Sequence, residues 1–448
     1  MTRQAYRAGL LHALDDPSRT ATDVAIAHHP DGMLVVEDGH VAAFGPYADL
    51  APALPPGTPV EELPGRLITP GFVDAHIHFP QIDVIAAWGG ELLDWLAKHT
   101  YPAELAFADR AHADAVAAVF LDELLRNGTT SALVFATAHK GSVEALFEAA
   151  LARDMRLVAG KVLMDRNAPE GLRDSVETGR ADTEDLIRAW RGRGRLGYAI
   201  TPRFAVTSSE AQLAMAGELA AAHPDALVQT HMLENRQEIA EVARLFPDAR
   251  DYLDVYDRFG LVTPRSVFAH CVHADAGVFG RLAQAEAAVA FCPSSNLMLG
   301  SGLFDLKAAC ACGVRVALAT DVGGGASFSM PRMIGEAYRV GQLRGETLEP
   351  LHGFYLATLA GARALRIDDK VGNLAPGKEA DFVVLDLAAT PLIARRTGGA
   401  RSLGETVFAL AVLGDDRIVE RTYLRGRLAH ARDGLDRPAA PAGQSADG

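Results

Sequence analysis

The chain reads as an α/β protein: a (β/α)8 TIM barrel joined to a small composite β-sandwich domain built from both chain ends. Three observations predict this. Eight apolar strands with helical or loop crossovers run between about residues 71 and 321. Repeated βα units with continuous apolar strands point to a parallel sheet covered on both faces. Short strands broken by turn residues fill the chain up to about residue 69 and return from about Val371. Finally, four histidines and an aspartate stand at strand ends, where a barrel carries its chemistry.

The elements follow in order. The opening "MTRQAYRAGLLHALDDPSRT" lacks the long apolar run of a secretion signal. "VAIAHHPDGMLVVEDGHVAAFGP" alternates apolar stretches with the turn residues "PDG" and "EDG", as short strands do. The first barrel strand is "GFVDAHIH". "DRAHADAVAAVFLDELLRNG" has helical periodicity and stops at Gly128, ahead of the strand "TTSALVFAT". The helix "SVEALFEAALARD" leads to the strand "RLVAGKVLMD", and a further helical stretch leads to "LGYAITPRF". The helix "EAQLAMAGELAAAH" leads to "ALVQTHMLE", after which come "SVFAHC", "AAVAFCP" and "VRVALATD". Beyond Val371, "VGNLAPGKEADFVVLDL", "ETVFALAVLG" and "RIVERTYLRGRLAH" resume the strand-and-turn style. The expected divisions are 1–69 and 369–430 for the two parts of the small domain, 70–368 for the barrel, and 431–448 for a disordered tail rich in Pro, Ala and Gly.

Composition narrows the class. The 448 residues are 49% hydrophobic and 22% charged, ordinary for a globular protein with a large core. The net charge of −14 argues against a nucleic-acid partner, since phosphate binding needs a basic surface. No apolar run reaches the length of a membrane span. The four cysteines, Cys271, Cys292, Cys310 and Cys312, form no Cys-x-x-Cys, which fits buried thiols in a reducing, cytoplasmic setting.

The chemistry concentrates at strand ends. In "PGFVDAHIHFPQ", His76 and His78 are two residues apart, so on a strand both imidazoles leave the same face. Strand five ends in His231, strand six in His270 and strand eight in Asp321. Imidazoles and a carboxylate converging on one barrel mouth describe a zinc site. Glu234 follows His231 by three residues and can serve as a general acid/base. Its plainer reading is a solvated charge at a helix start; that of Arg203 is a salt bridge at the barrel mouth, and that of Gln81 a structural loop hydrogen bond.

These residues carry a resemblance. "GFVDAHIH", the histidines ending strands five and six, and "ATD" ending strand eight resemble the amidohydrolase superfamily over roughly residues 22 to 430. "HFPQ", "ELLDWLAKHTYPAE", "GKVLMD", "TPRF", "THMLENRQE" and "TDVGGG" are similar, more narrowly, to its guanine-deaminating branch. The resemblance implies zinc, one ion per chain, on His76, His78, His231 and Asp321. It implies catalytic roles for Glu234, His270 and Asp321: Glu234 shuttles the proton, His270 holds the water or product oxygen, and Asp321 holds or removes the water proton. It places Gln81, Arg203 and Phe204, together with His231 and Glu234, against the substrate. The implied reaction is hydrolysis of guanine to xanthine and ammonia by a zinc-activated hydroxide, in a cytoplasmic homodimer. A guanidinium only donates, whereas the amide of Gln81 can donate and accept and so match a mixed purine edge.

Departures and absences matter too. The "FP" between His78 and Gln81 differs from some relatives. Strand four, "ITPRF", lacks the lysine that a two-metal site needs there, and Lys161 within strand three suits packing or an ion pair. The His-x-Glu with Pro-Cys-x-x-Cys of the other zinc deaminases does not occur. "GGG" at 323–325 reads as close backbone packing beside Asp321. Two other classes stay open: a related deaminase or chlorohydrolase acting on another nitrogen heterocycle, such as an adenosyl or triazine compound, and a non-catalytic scaffold on the same fold.

Overall fold

The computed structural model describes residues 3–433. Four strands open the chain: β1 (Arg3–Ala13), β2 (Ile26–Glu37), β3 (His40–Pro46) and β4 (Val60–Pro70). The barrel strands follow as β5 (Phe72–His78), β6 (Thr129–Phe135), β7 (Arg156–Gly160) with its short extension β8 (Val162–Leu163), β9 (Leu196–Pro202), β10 (Leu227–Met232), β11 (Ser266–His270), β12 (Ala288–Phe291) and β13 (Arg315–Leu318). Three strands close the chain: β14 (Phe382–Asp386), β15 (Val419–Leu424) and β16 (Arg427–Ala431).

The barrel is parallel, in the order β5-β6-β7-β9-β10-β11-β12-β13. Two backbone hydrogen bonds bring its ends together just past β13. Asp321 N–H donates to His76 O at 2.9 Å, and His78 N–H donates to Val322 O at 2.9 Å. Its interior is packed with small and branched side chains, among them Val73, Ala75, Leu133, Ala199, Leu227, Val267, Ala290 and Ala317. The crossover helices begin where capping residues stand: the Asp109 side chain accepts from Ala111 N–H ahead of Arg110–Arg126, and Ser209 accepts from Gln212 N–H ahead of Glu210–Ala222.

The small domain is one seven-stranded mixed sheet from both chain ends, ordered β16-β15-β14-β4-β1-β2-β3. Strand β3 meets the segment before β14, with Val41 N–H donating to Lys378 O and Ala380 N–H to Gly39 O. The sheet thus folds over a shared core in which Phe382 and Tyr423 stack and Tyr6 meets both edge-on. "EDG" is the β2–β3 turn, with Asp38 and Gly39 both at positive φ as a tight hairpin requires.

Several elements differ from the sequence expectation. "ETVFALAVLG" forms a helix, Leu403–Leu413, started by Ser402 capping Glu405 N–H. It is apolar because it packs against the helix Met330–Leu343, where Phe408 meets Tyr338 edge-on and Ala411 O lies close to Gly335. "PDG" is not a turn but lies inside β2, and the unread β1 pairs with that strand, the register slipping between Ala8 and Leu10. The third strand breaks at Lys161, whose side chain is buried against Asp174 while its N–H donates to Tyr198 Oη at 3.2 Å. Ala431 and Arg432, expected in the tail, are tied to β15 by Ala431–Arg421 pairing and an Arg432 N–H to Glu420 O bond. The rest of the expected tail, from residue 434, lies outside the described residues. Among those described, no helix is long and apolar enough to cross a membrane.

Candidate active site

His76 and His78 reach the barrel mouth through a register irregularity. The β5–β6 pairing shifts between Asp74 and Ile77, so Val73 and Ala75 pack into the barrel interior below while His76 and His78 both reach Asp321 at the end of strand eight. Asp74 holds the irregularity: it accepts from His76 N–H at 3.2 Å and from Thr320 N–H at 3.1 Å, tying strand one to strand eight. His270 and Asp321 sit at positive φ, 71° and 49°, as does Leu233 between His231 and Glu234 at 54°. Such backbone is costly away from glycine, and here it turns each strand end toward the mouth.

Four ligand-type atoms gather around His76 and His78. His78 Nε2 lies 3.2 Å from His76 Nε2 and 3.2 Å from His231 Nε2. Asp321 Oδ1 lies 3.2 Å from His76 Nε2 and 3.3 Å from His78 Nε2. Ligands at tetrahedral corners about 2.0–2.1 Å from a zinc ion are themselves about 3.3 Å apart. Charge and tautomer agree with a shared cation. His231 Nδ1–H donates to Arg203 O at 2.7 Å, so its Nε2 carries a lone pair toward the centre. Burial lowers the pKa of His76, pushes that of His78 to about 3 and that of His231 well below its ordinary value, which keeps all three rings neutral. Burial works against the charge on Asp321, but the facing His76 and His78 rings outweigh it and hold the carboxyl well below its ordinary range. The donor set fits a divalent metal.

Beside the centre, His270 Nε2 lies 3.8 Å from Asp321 Oδ2 and 3.3 Å from Glu234 Oε2. Its Nδ1–H points at Asn296 Oδ1, 2.9 Å away. Glu234 is no solvated charge: it is 2% exposed, and burial, with the nearby Asp321 carboxylate, raises its pKa well above the ordinary value. Ser301 donates to its Oε1 at 3.2 Å. Cys292 also approaches His76, His270 and Asp321, but burial pushes its thiol well up, so it stays protonated and donates to Ala290 O at 3.4 Å.

His78, His231, Glu234, His270 and Asp321 line a cavity with about 380 Å³ of empty space, part of it open to solvent. Gln81, Arg203, Phe204, His231 and Glu234 all border it, as do Leu92, Trp95 and Leu96 from the helical run after Gln81. The plainer readings of Arg203 and Gln81 hold as well. Arg203 Nη1 pairs with both oxygens of Glu104 at 2.8 Å, and Gly323 N–H donates to Gln81 Oε1 at 3.2 Å. That second bond turns the amide of Gln81 with its oxygen toward Gly323. The "GGG" segment packs closely, since a Cβ on Gly323 would meet Gln81 O at 2.4 Å and one on Gly325 would meet Thr320 O at 1.9 Å.

Sequence reasoning gave no role to Glu104, Asn296, Ser301 or Glu238. Glu238 accepts from Glu234 N–H and Asn235 N–H at 2.9 and 3.0 Å, pinning the loop that follows His231. It was findable, because "NRQE" has the Asn-x-x-Glu spacing of a capping box, and the structure forms that box.

Comparisons with known proteins place this geometry among relatives. Residues 67–429 match the amidohydrolase family. The chain is 48% identical to the guanine deaminase of Escherichia coli (strain K12), covering 96% of this chain and 99% of that one. A crystal structure of guanine deaminase from Bradyrhizobium japonicum superposes with a TM-score of 0.93 at 40% identity, covering 96% of this chain and 100% of that one. Another, from C. acetobutylicum with bound guanine in the active site, superposes with a TM-score of 0.84 at 28% identity, covering 95% and 99%.

Proposed function

The chain belongs to the amidohydrolase family, and from that premise we infer that it is an enzyme that hydrolyses guanine to xanthine and ammonia. The observation that carries the substrate is the 48% identity, across nearly the whole of both chains, to a protein named for this reaction.

We propose that His76, His78, His231 and Asp321 hold one zinc ion per chain; the approach of His78 Nε2 to His76 and His231 Nε2, and of Asp321 Oδ1 to His76 and His78 Nε2, at 3.2–3.3 Å supports it. Bound there, the metal supplies a nucleophile at neutral pH by lowering the pKa of water. The protein's own groups do the rest. Arg203 and Gln81 fix the ring so that C2 faces the centre, and Phe204 lies along it. Asp321 Oδ2 and His270 Nε2 hold the attacking oxygen, with Asp321 accepting its proton. Glu234, buried and readily protonated, gives a proton to N3 and relays one to the departing amine. Water adds at C2, the C2–N bond breaks, and ammonia leaves. Its setting in this reading is cytoplasmic and its assembly a homodimer, which sedimentation of the purified protein tests.

The decisive experiment is steady-state ammonia release from guanine beside adenine, cytosine and 8-oxoguanine. Guanine is expected to have the highest kcat/KM. A clear preference for another heterocycle would move the chain to the broader deaminase class.

A further inference from the structure

We propose that Glu104 is a positioning residue that makes the far wall of the cavity a donor-only edge, and so sets selectivity for a purine with oxygen at C6. This rests on the guanine reading above. Glu104 is fully buried, at 0% exposure. Both its carboxylate oxygens lie 2.8 Å from Arg203 Nη1, and its Oε1 lies 3.5 Å from Gln81 Nε2. Tyr101, three residues earlier on the same short helix, places its ring 5.5 Å from the Arg203 guanidinium carbon.

The polarity follows from what each group can do. A backbone N–H only donates and a carboxylate only accepts. Gln81 is held between one of each: Gly323 N–H at its oxygen and Glu104 at its nitrogen. Turning the amide over would set donor against donor and acceptor against acceptor. So oriented, the amide keeps a second N–H free to donate to the cavity. Arg203, bordering the same cavity, also has only N–H groups to give. Guanine presents acceptors on that side, O6 and N7. A purine with an amine at C6 brings a donor to donors. Glu104 touches no substrate in this arrangement. Its effect passes through the two side chains it orients.

A residue that merely neutralised Arg203 would, when changed, harm all substrates alike. The test is therefore a ratio. Initial rates of ammonia release are measured with the full, metal-loaded enzyme on guanine and on 2-aminopurine, which keeps the C2 amine and lacks the C6 oxygen. The parent should favour guanine in kcat/KM by about a hundredfold or more. Glu104→Gln should narrow that preference by about tenfold or more, chiefly through a raised KM for guanine, with 2-aminopurine little changed. Intrinsic reactivity differences cancel between parent and variant. An unchanged preference, or an equal fall on both substrates, overturns the role of Glu104. Should Glu104→Gln not fold, Glu104→Asp, which withdraws the carboxylate by one methylene, should narrow the preference in the same direction; an unchanged ratio there overturns the proposal. A parent enzyme that releases no ammonia from guanine overturns the activity and this proposal together.

Discussion

His231 donates its Nδ1–H to the carbonyl oxygen of Arg203 across 2.7 Å. One residue thus serves two purposes: the backbone of Arg203 fixes the tautomer of the proposed metal ligand His231, while its side chain borders the cavity. The two can be separated by mutation.

Arg203→Ala keeps the carbonyl and removes the guanidinium. Metal content should stay near that of the parent. The KM for guanine should rise by roughly ten- to a hundredfold, and the preference over adenine should narrow. Leaving Glu104 buried without its partner should also cost about 3 kcal/mol of stability or more. Elemental analysis beside kinetics on both purines checks this. Loss of metal in step with activity would mean that the two purposes are not separable.

Glu234→Gln keeps the shape of the side chain and removes the proton. Guanine binding and metal content should survive while kcat falls by roughly two to four orders of magnitude. Near-normal turnover would return Glu234 to a structural role.

How much of this was legible in the sequence follows from the range of the signals. Apolar runs and the period of two fix which residues end a strand, so His76, His78, His231, His270 and Asp321 could be placed at one mouth before any coordinates. Glu104 could not. It acts on Arg203 from 99 positions away, and locally it is one carboxylate on a short helical stretch. The polarity of Gln81 was equally hidden, since it depends on a backbone N–H 242 positions away. "ETVFALAVLG" misled for a different reason. A helix packed against neighbours loses its polar stripe, and a short apolar run then reads as a strand.

Gly325→Ala tests the close packing beside Asp321. A Cβ there would lie 1.9 Å from Thr320 O, a backbone atom that cannot swing aside. The strand-eight end should shift, with weaker metal retention and a stability loss of about 2 kcal/mol or more. Chelator challenge and thermal melting measure both; parent-like values would show that the loop has slack.

His12 should give the fold a pH dependence of its own. It stacks on Phe44 with ring centroids 4.0 Å apart, and its Nδ1 accepts from Leu374 N–H at 2.9 Å. Burial, with smaller contributions from His29 and Lys378, pushes its pKa down to about 3. The unfolded chain, with a histidine pKa near 6.5, binds the proton first. The contribution is therefore complete above about pH 6.5 and is lost as pH falls toward 3, at up to about 1.4 kcal/mol per pH unit. His12→Asn offers an acceptor that does not titrate. Urea midpoints between pH 7.5 and 5 should fall less steeply in the variant than in the parent; parallel curves would remove His12 from the account.

The most direct measurement is a titration of metal-stripped enzyme with Zn2+ while ammonia release from guanine is followed. With the single centre proposed on three histidines and one aspartate, activity should rise from near zero and level off at one equivalent per chain. A plateau at two equivalents, or full activity without any divalent metal, would contradict the account.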